Sequence, residues 1–113
     1  EGQSALRNPS GPAGSELIIS GVCKSVVLQH MPARKYFDDR EDWGEIPSVR
    51  KEIKLIRMLG AKTIALTLNP KGMSDKDLKK YCDHMEDKLG IPVMVANQEN
   101  LQRLIPMIKK MVQ

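Results

Sequence analysis

The sequence predicts an α/β fold, a three-layer doubly wound arrangement on a parallel sheet, and three observations lead there. Segments rich in β-branched and aliphatic residues alternate with amphipathic segments of helical period, in the order β-α-β-α-β-α. The apolar runs read as strands are unbroken rather than alternating, as expected of strands covered on both faces. Glycine, asparagine and proline punctuate every change from one type to the next. Strands in such an order lie parallel and are joined by right-handed crossovers.

Residues 1 to 14 are dense in Gly, Pro, Ser and Asn, and read as a loop. Ser15 is placed to cap a short helix over Glu16 to Ser20 that Gly21 ends. Ser25 to Gln29 forms the first strand. Residues 31 to 46 follow as a long polar excursion without periodicity, anchored by Phe37 and Trp43; connections of that length are commonly functional or mobile. Pro47 suits the first turn of a second helix, whose stripe of Val49, Ile53, Ile56 and Leu59 runs to a stop at Gly60. Thr63 to Leu68 is the second strand, closed by Asn69-Pro70-Lys71-Gly72. Ser74 and Asp77 make an acidic variant of the capping box. The third helix then carries Leu78, Tyr81, Cys82, Met85 and Leu89 on one face and Lys76, Lys80, Asp83 and Asp87 on the other, with Gly90 as its stop. Pro92 to Val95 is the third strand, and Asn97 caps a last helix expected to turn Leu101, Leu104, Ile105, Ile108 and Val112 inward. Pro106 should kink or restart that helix, since it lacks a backbone donor.

Three parallel strands make a small sheet, and strands with two apolar faces need neighbours and cover. Together with a start at Glu1 that lacks an initiator Met, this gives the expectation that the sheet continues into polypeptide upstream or into another chain, so that a homo-oligomer is expected as well. The longest apolar runs are far shorter than the roughly 20 residues of a membrane helix, and no membrane partner is expected. Cys23 and Cys82 have apolar neighbours and no close-spaced partners, which points to buried free thiols in a cytoplasmic protein. Net charge is +4 over the whole chain, with −2 on residues 1 to 48 (five Lys/Arg, seven Asp/Glu) and +6 on the rest (thirteen against seven). The lysines recur among acids on helical segments, and aromatics are too few for a base-stacking surface. Solvated helix faces rather than a nucleic-acid partner explain them.

In open α/β sheets ligands gather beyond the carboxyl ends of the strands. The polar residues there are His30 with Arg34 beyond it, Asn69, and Asn97; Glu1 and Gln3 join them if an upstream strand ends at Glu1. Each also has a plain structural use: a histidine bonded to a backbone carbonyl, a turn at Asn69-Pro70, a helix cap at Asn97. The sequence contains no G-x-x-x-x-G-K-[ST] phosphate loop, no G-x-G-x-x-G and no nucleophile elbow. His84 reads as ordinary helix surface, and the acids Asp38, Asp39, Glu41 and Asp42, interleaved with basic residues, as a charged loop.

Glu1-Gly2-Gln3-Ser4-Ala5-Leu6 with Asn8-Pro9, then Val27-Leu28-Gln29-His30-Met31-Pro32-Ala33-Arg34, Ile46-Pro47 and Ala65 to Pro70, together resemble the second half of a bacterial and archaeal family long of unknown function. That family joins an N-terminal Rossmann-like domain to a P-loop domain similar to dethiobiotin synthetase, and some members are associated with N-acetylation of D-amino acids such as D-glutamate. The resemblance covers essentially the whole chain. It implies that residues 1–113 are the C-terminal part of a P-loop NTPase-like domain, with residues 31–46 as an active-site loop and with the Rossmann-like domain and Walker A segment outside this chain. It further implies a metal role for Glu1 toward Mg²⁺, a catalytic role for His30 and Arg34, and cofactor contacts from Gln3, Asn69, Pro70 and Asn97 to ATP or acetyl-CoA, with a small amino acid as substrate. Ala33 stands where the family usually has Gly, and Asn8 where His precedes Pro9. The reading that follows is the C-terminal portion of an N-acyltransferase or ATP-dependent ligase, inactive alone. The alternative is a non-catalytic assembly module.

Overall fold

The computed structural model describes residues 6–9 and 13–112. Three strands, β1 (Ser25–His30), β2 (Lys62–Leu68) and β3 (Val93–Val95), form one sheet in the order β1-β2-β3, and both pairings are parallel. The helices are α1 (Ala13–Ser20), α2 (Val49–Met58), α3 (Asp75–Leu89), α4 (Gln98–Gln102) and α5 (Ile105–Val112). The α/β class and the parallel sheet therefore match the sequence reading.

Alternation along β2 decides the layers. Leu66 and Leu68 point to one face, where Val49 and Ile53 of α2 and Leu78 and Met85 of α3 close over them. Ala65 points to the other, where Leu104 and Met107 pack on it and on Met94. A third apolar cluster joins Ile56 to Leu6, Ile18 and Ala61 at the far end of α2. Leu66, Leu68 and Ile56 are wholly shielded from solvent, and each such side chain contributes about 1.5–3 kcal/mol by burial. The register of β1 on β2 slips once: Val26 pairs with Thr63 but Val27 with Ala65, so Ile64 is an extra residue in β2.

Helix ends follow side-chain chemistry. Ser74 accepts from the Asp77 N–H, Asn97 from the Asn100 N–H, and Gly90 ends α3 in the left-handed conformation at φ 68°. Two caps differ from expectation. Ser48 rather than Pro47 opens α2, accepting from the Lys51 N–H, because proline has no side-chain oxygen to offer. Ser15 lies inside α1, which begins at Ala13, and its hydroxyl donates to the Leu6 carbonyl at 2.8 Å. Residues 13 and 14 thus belong to a helix and not to the opening loop.

The long excursion is built rather than featureless. Phe37 is buried, single 3-10 turns span Phe37–Asp39 and Glu41–Trp43, and an isolated antiparallel bridge joins Tyr36 to Glu45. Arg40 lies over the Trp43 ring and binds both oxygens of Asp42. The N-terminal segment is tied across the fold by Arg7, whose guanidinium donates to the largely buried Glu52 carboxylate at 2.7 Å.

The C-terminal expectation needs correction. The run does break ahead of Pro106, giving α4 and α5, but of the residues expected inward Leu104 is buried while Leu101, Ile105 and Ile108 are 43%, 47% and 44% exposed. A three-stranded sheet is narrow, and only the stripe of Leu104 and Met107 reaches it. Val112 lies outside the described side chains. Likewise Val27 and Gln29 on β1 face solvent, so β1 is covered on one face only. The cysteines are free but half-buried rather than buried; Cys23 donates to the Ser25 carbonyl. Among the described residues no helix is long and apolar enough to cross a membrane.

Candidate functional site

The parallel register sets His30 opposite Leu68, and the Asn69 N–H donates to the His30 carbonyl at 2.8 Å. The ends of β1 and β2 are therefore fastened together at the rim of the sheet. Immediately beyond, the Arg34 N–H donates to the Met31 carbonyl at 3.0 Å, and this turn folds Arg34 back toward the strand ends. The turn rests on the loop after β2. A Cβ added to Gly72, which sits at φ +84°, would stand 2.8 Å from the Ala33 Cβ, so glycine is required there both for its conformation and for the close approach.

These tethers bring His30, Arg34 and Asn69 to one groove of about 720 Å³ that runs along the outer side of β1, with Leu17, Ile18 and Ile46 among its apolar lining. The His30 ring stacks on Tyr81 of α3 with centroids 6.4 Å apart. Burial holds the His30 pKa below its ordinary 6.5, so the imidazole is neutral at pH 7 and free to take a proton. Burial likewise pushes the Tyr81 phenol above its usual range. The Arg34 side chain is about one-third exposed, yet its Nε is fully buried and makes no hydrogen bond; the Asp39 carboxylate stands 3.5 Å away. Such a buried donor is costly to leave unpaired.

Asn69 has both uses that the sequence allows: its Oδ1 accepts from the Lys71 N–H at 3.1 Å while the residue lines the groove. Its amide nitrogen remains to meet a ligand acceptor. The remaining residues are not gathered there. Pro70 is exposed at the turn, and Asn97 caps α4 through its Oδ1 at 2.8 Å from the Asn100 N–H. Glu1 and Gln3 lie outside the described residues. His84 is exposed on α3.

Periodicity gave no means of finding Asp39, which reaches Arg34 from within the aperiodic loop. Nor could it find Asn8, a buried residue whose amide donates to Asp38 at 3.3 Å. Tyr81 was legible as a core-facing helix residue, but not as the partner of His30. A second cleft of about 500 Å³ lies beside β3, lined by Lys79, Asp83, Glu86 and Arg103 among others; its mixed charges offer no convergent donor set.

The groove's donors are one guanidinium, one neutral imidazole and one amide, a set that fits an anionic group such as a carboxylate or phosphate. Among the described residues no cluster of three His, Cys, Asp or Glu is placed to hold a metal ion. The family model described as a domain of unknown function (DUF1611_C), P-loop domain, matches residues 1–105. No curated protein and no solved structure matches the chain significantly.

Proposed function

The chain belongs to the family of DUF1611 C-terminal P-loop domains of unknown function, and from that premise we propose that it forms the substrate-facing wall of a nucleotide-binding enzyme that N-acylates a D-amino acid. The observation that carries this reading is the meeting of His30, Arg34 and Asn69 in one groove at the carboxyl end of the sheet. In it Arg34 holds the amino acid's carboxylate through its two-pronged guanidinium. His30, neutral at pH 7, takes the proton from the attacking amine. Asn69 offers its amide to a polar edge of the donor. Acetyl-CoA, when bound, would supply the acyl group and release the CoA thiol; with ATP and Mg²⁺ instead, the acyl group would come from a carboxylic acid that ATP activates, with phosphate or pyrophosphate as the leaving group. Residues 1–113 contain no G-x-x-x-x-G-K-[ST], so on this reading the phosphate loop that holds such a donor is contributed by other polypeptide.

The test is reconstitution with the polypeptide that carries the phosphate loop, followed by binding and turnover with acetyl-CoA, ATP and D-glutamate. Arg34→Ala is expected to raise KM for the amino acid at least tenfold. His30→Ala is expected to lower kcat by about 10²–10⁴, the usual contribution of a positioned acid or base. Unchanged kcat/KM in both variants sinks the proposal.

One observation favours a second reading, an assembly module: the large apolar side chains of Leu101, Ile105 and Ile108 on α4 and α5 are exposed. A dimer in light scattering that Ile105→Lys dissolves, with no activity lost in Arg34→Ala, selects that reading instead.

A further inference from the structure

Asp39, at the end of the strained Tyr36–Asp39 turn, faces Arg34. Asp38 and Asp39 both adopt the left-handed backbone region, at φ 52° and 58°, a conformation that successive L-residues rarely share. The turn is held in place by neighbours: Phe37 is buried, Asn8 donates to Asp38 at 3.3 Å, and Tyr36 bridges Glu45. What the arrangement brings about is a poor contact. Asp39 Oδ1 lies 3.5 Å from Arg34 Nε, outside good hydrogen-bond range, so the buried Nε–H is left unsatisfied. The Asp39 side chain is 73% exposed and keeps most of its hydration whether or not it faces Arg34.

We propose that Asp39 is an internal competitor, a carboxylate that rests against Arg34 until an anionic group of the ligand displaces it. The inference rests on reading Arg34 as an anion clamp, and deepens that reading by naming the residue that sets its affinity. The ligand group is a carboxylate or phosphate oxygen, able to approach the Nε–H closer than Asp39 can from its strained position. Displacement moves Asp39, already largely in water, away from Arg34, and the loop after Phe37 moves with it. Selectivity follows, since a neutral ligand has nothing with which to replace the departing carboxylate.

The test follows the Arg34 Nε–H and the Asp39 backbone amide by NMR while the protein is titrated with inorganic phosphate, and separately with acetate, to distinguish the two oxyanions. Asp39→Asn keeps the side-chain shape and tolerates the left-handed backbone at least as well, so it is expected to fold, and a matching thermal melt checks that it does. It should bind the preferred anion about two- to fivefold tighter than the unaltered protein, the range an exposed ion pair commands. In the unaltered protein the Asp39 amide should shift in step with the Arg34 Nε–H, and Arg34→Ala should bind neither anion. Equal or weaker binding by Asp39→Asn, or a stationary Asp39 amide while the Arg34 signal saturates, overturns the competitor and leaves the clamp standing. Absence of any response at Arg34 in both proteins removes the clamp and the competitor together.

Discussion

Burial at His30 works against the imidazolium, and the sign of its effect on stability follows directly. The folded protein gives up this proton at a lower pH than the unfolded chain, whose histidine titrates near 6.5. Stability from His30 is therefore complete above pH 6.5 and declines as pH falls from there through the folded value. Urea unfolding at pH 7.5 and 5.5 should show a loss of stability at the lower pH that His30→Gln diminishes; an equal loss in that variant would assign the acid sensitivity to other groups. The reading of residues was uneven for physical reasons. Caps such as Ser74 and Asn97 act over three residues, and local spacing reveals them. The partners of Arg34 and His30 come from a loop and from a helix remote in sequence, and no spacing rule encodes Asp39 or Tyr81.

Between elements, the Met31–Arg34 turn that carries Arg34 rests against the loop after β2. Gly72→Ala adds a methyl group at 2.8 Å from the Ala33 Cβ and forces a side-chain-bearing residue to φ +84°. A loss of about 1–3 kcal/mol is expected from strain of this kind, read from chemical denaturation, with anion affinity at Arg34 falling as well. Adding Ala33→Gly should restore the part due to collision and leave the part due to backbone angle. No recovery in the double variant would show that the methyl contact is not what matters. Ala33 is thus matched by a glycine across the contact. Helix and strand positions were readable because their periodicities reflect which side faces the core; Ser15 misled because a hydroxyl inside a helix and one at its start look alike until the backbone angles are known.

Across the whole molecule, one sheet face carries the larger apolar load. Leu68→Ala, at a wholly shielded site beneath α2 and α3, should lower stability by about 2–5 kcal/mol. Leu101→Ala, at a side chain 43% exposed, should change it by no more than about 0.5 kcal/mol. Comparable losses in the two, measured by urea unfolding, would mean that α4 packs more deeply than described. This contrast also marks where sequence reading stopped. An apolar stripe shows that a helix has a face to cover, but not how wide the sheet beneath it is, and three strands leave room for Leu104 without its neighbours.

The supernumerary Ile64 in β2 has a consequence for how this chain can vary through time. Parity counted from that residue to the rim assigns the leucine row to the side covered by α2 and α3, and the alanine and threonine row to the side on which Leu104 and Met107 pack. Deleting Ile64 would heal the bulge and keep Ala65 to Leu68 paired with Val27 to His30, whereas deleting a residue between Ala65 and Leu68 would move part of one row to the opposite face. The strand is therefore expected to tolerate loss of its bulge residue better than loss of any residue nearer the rim.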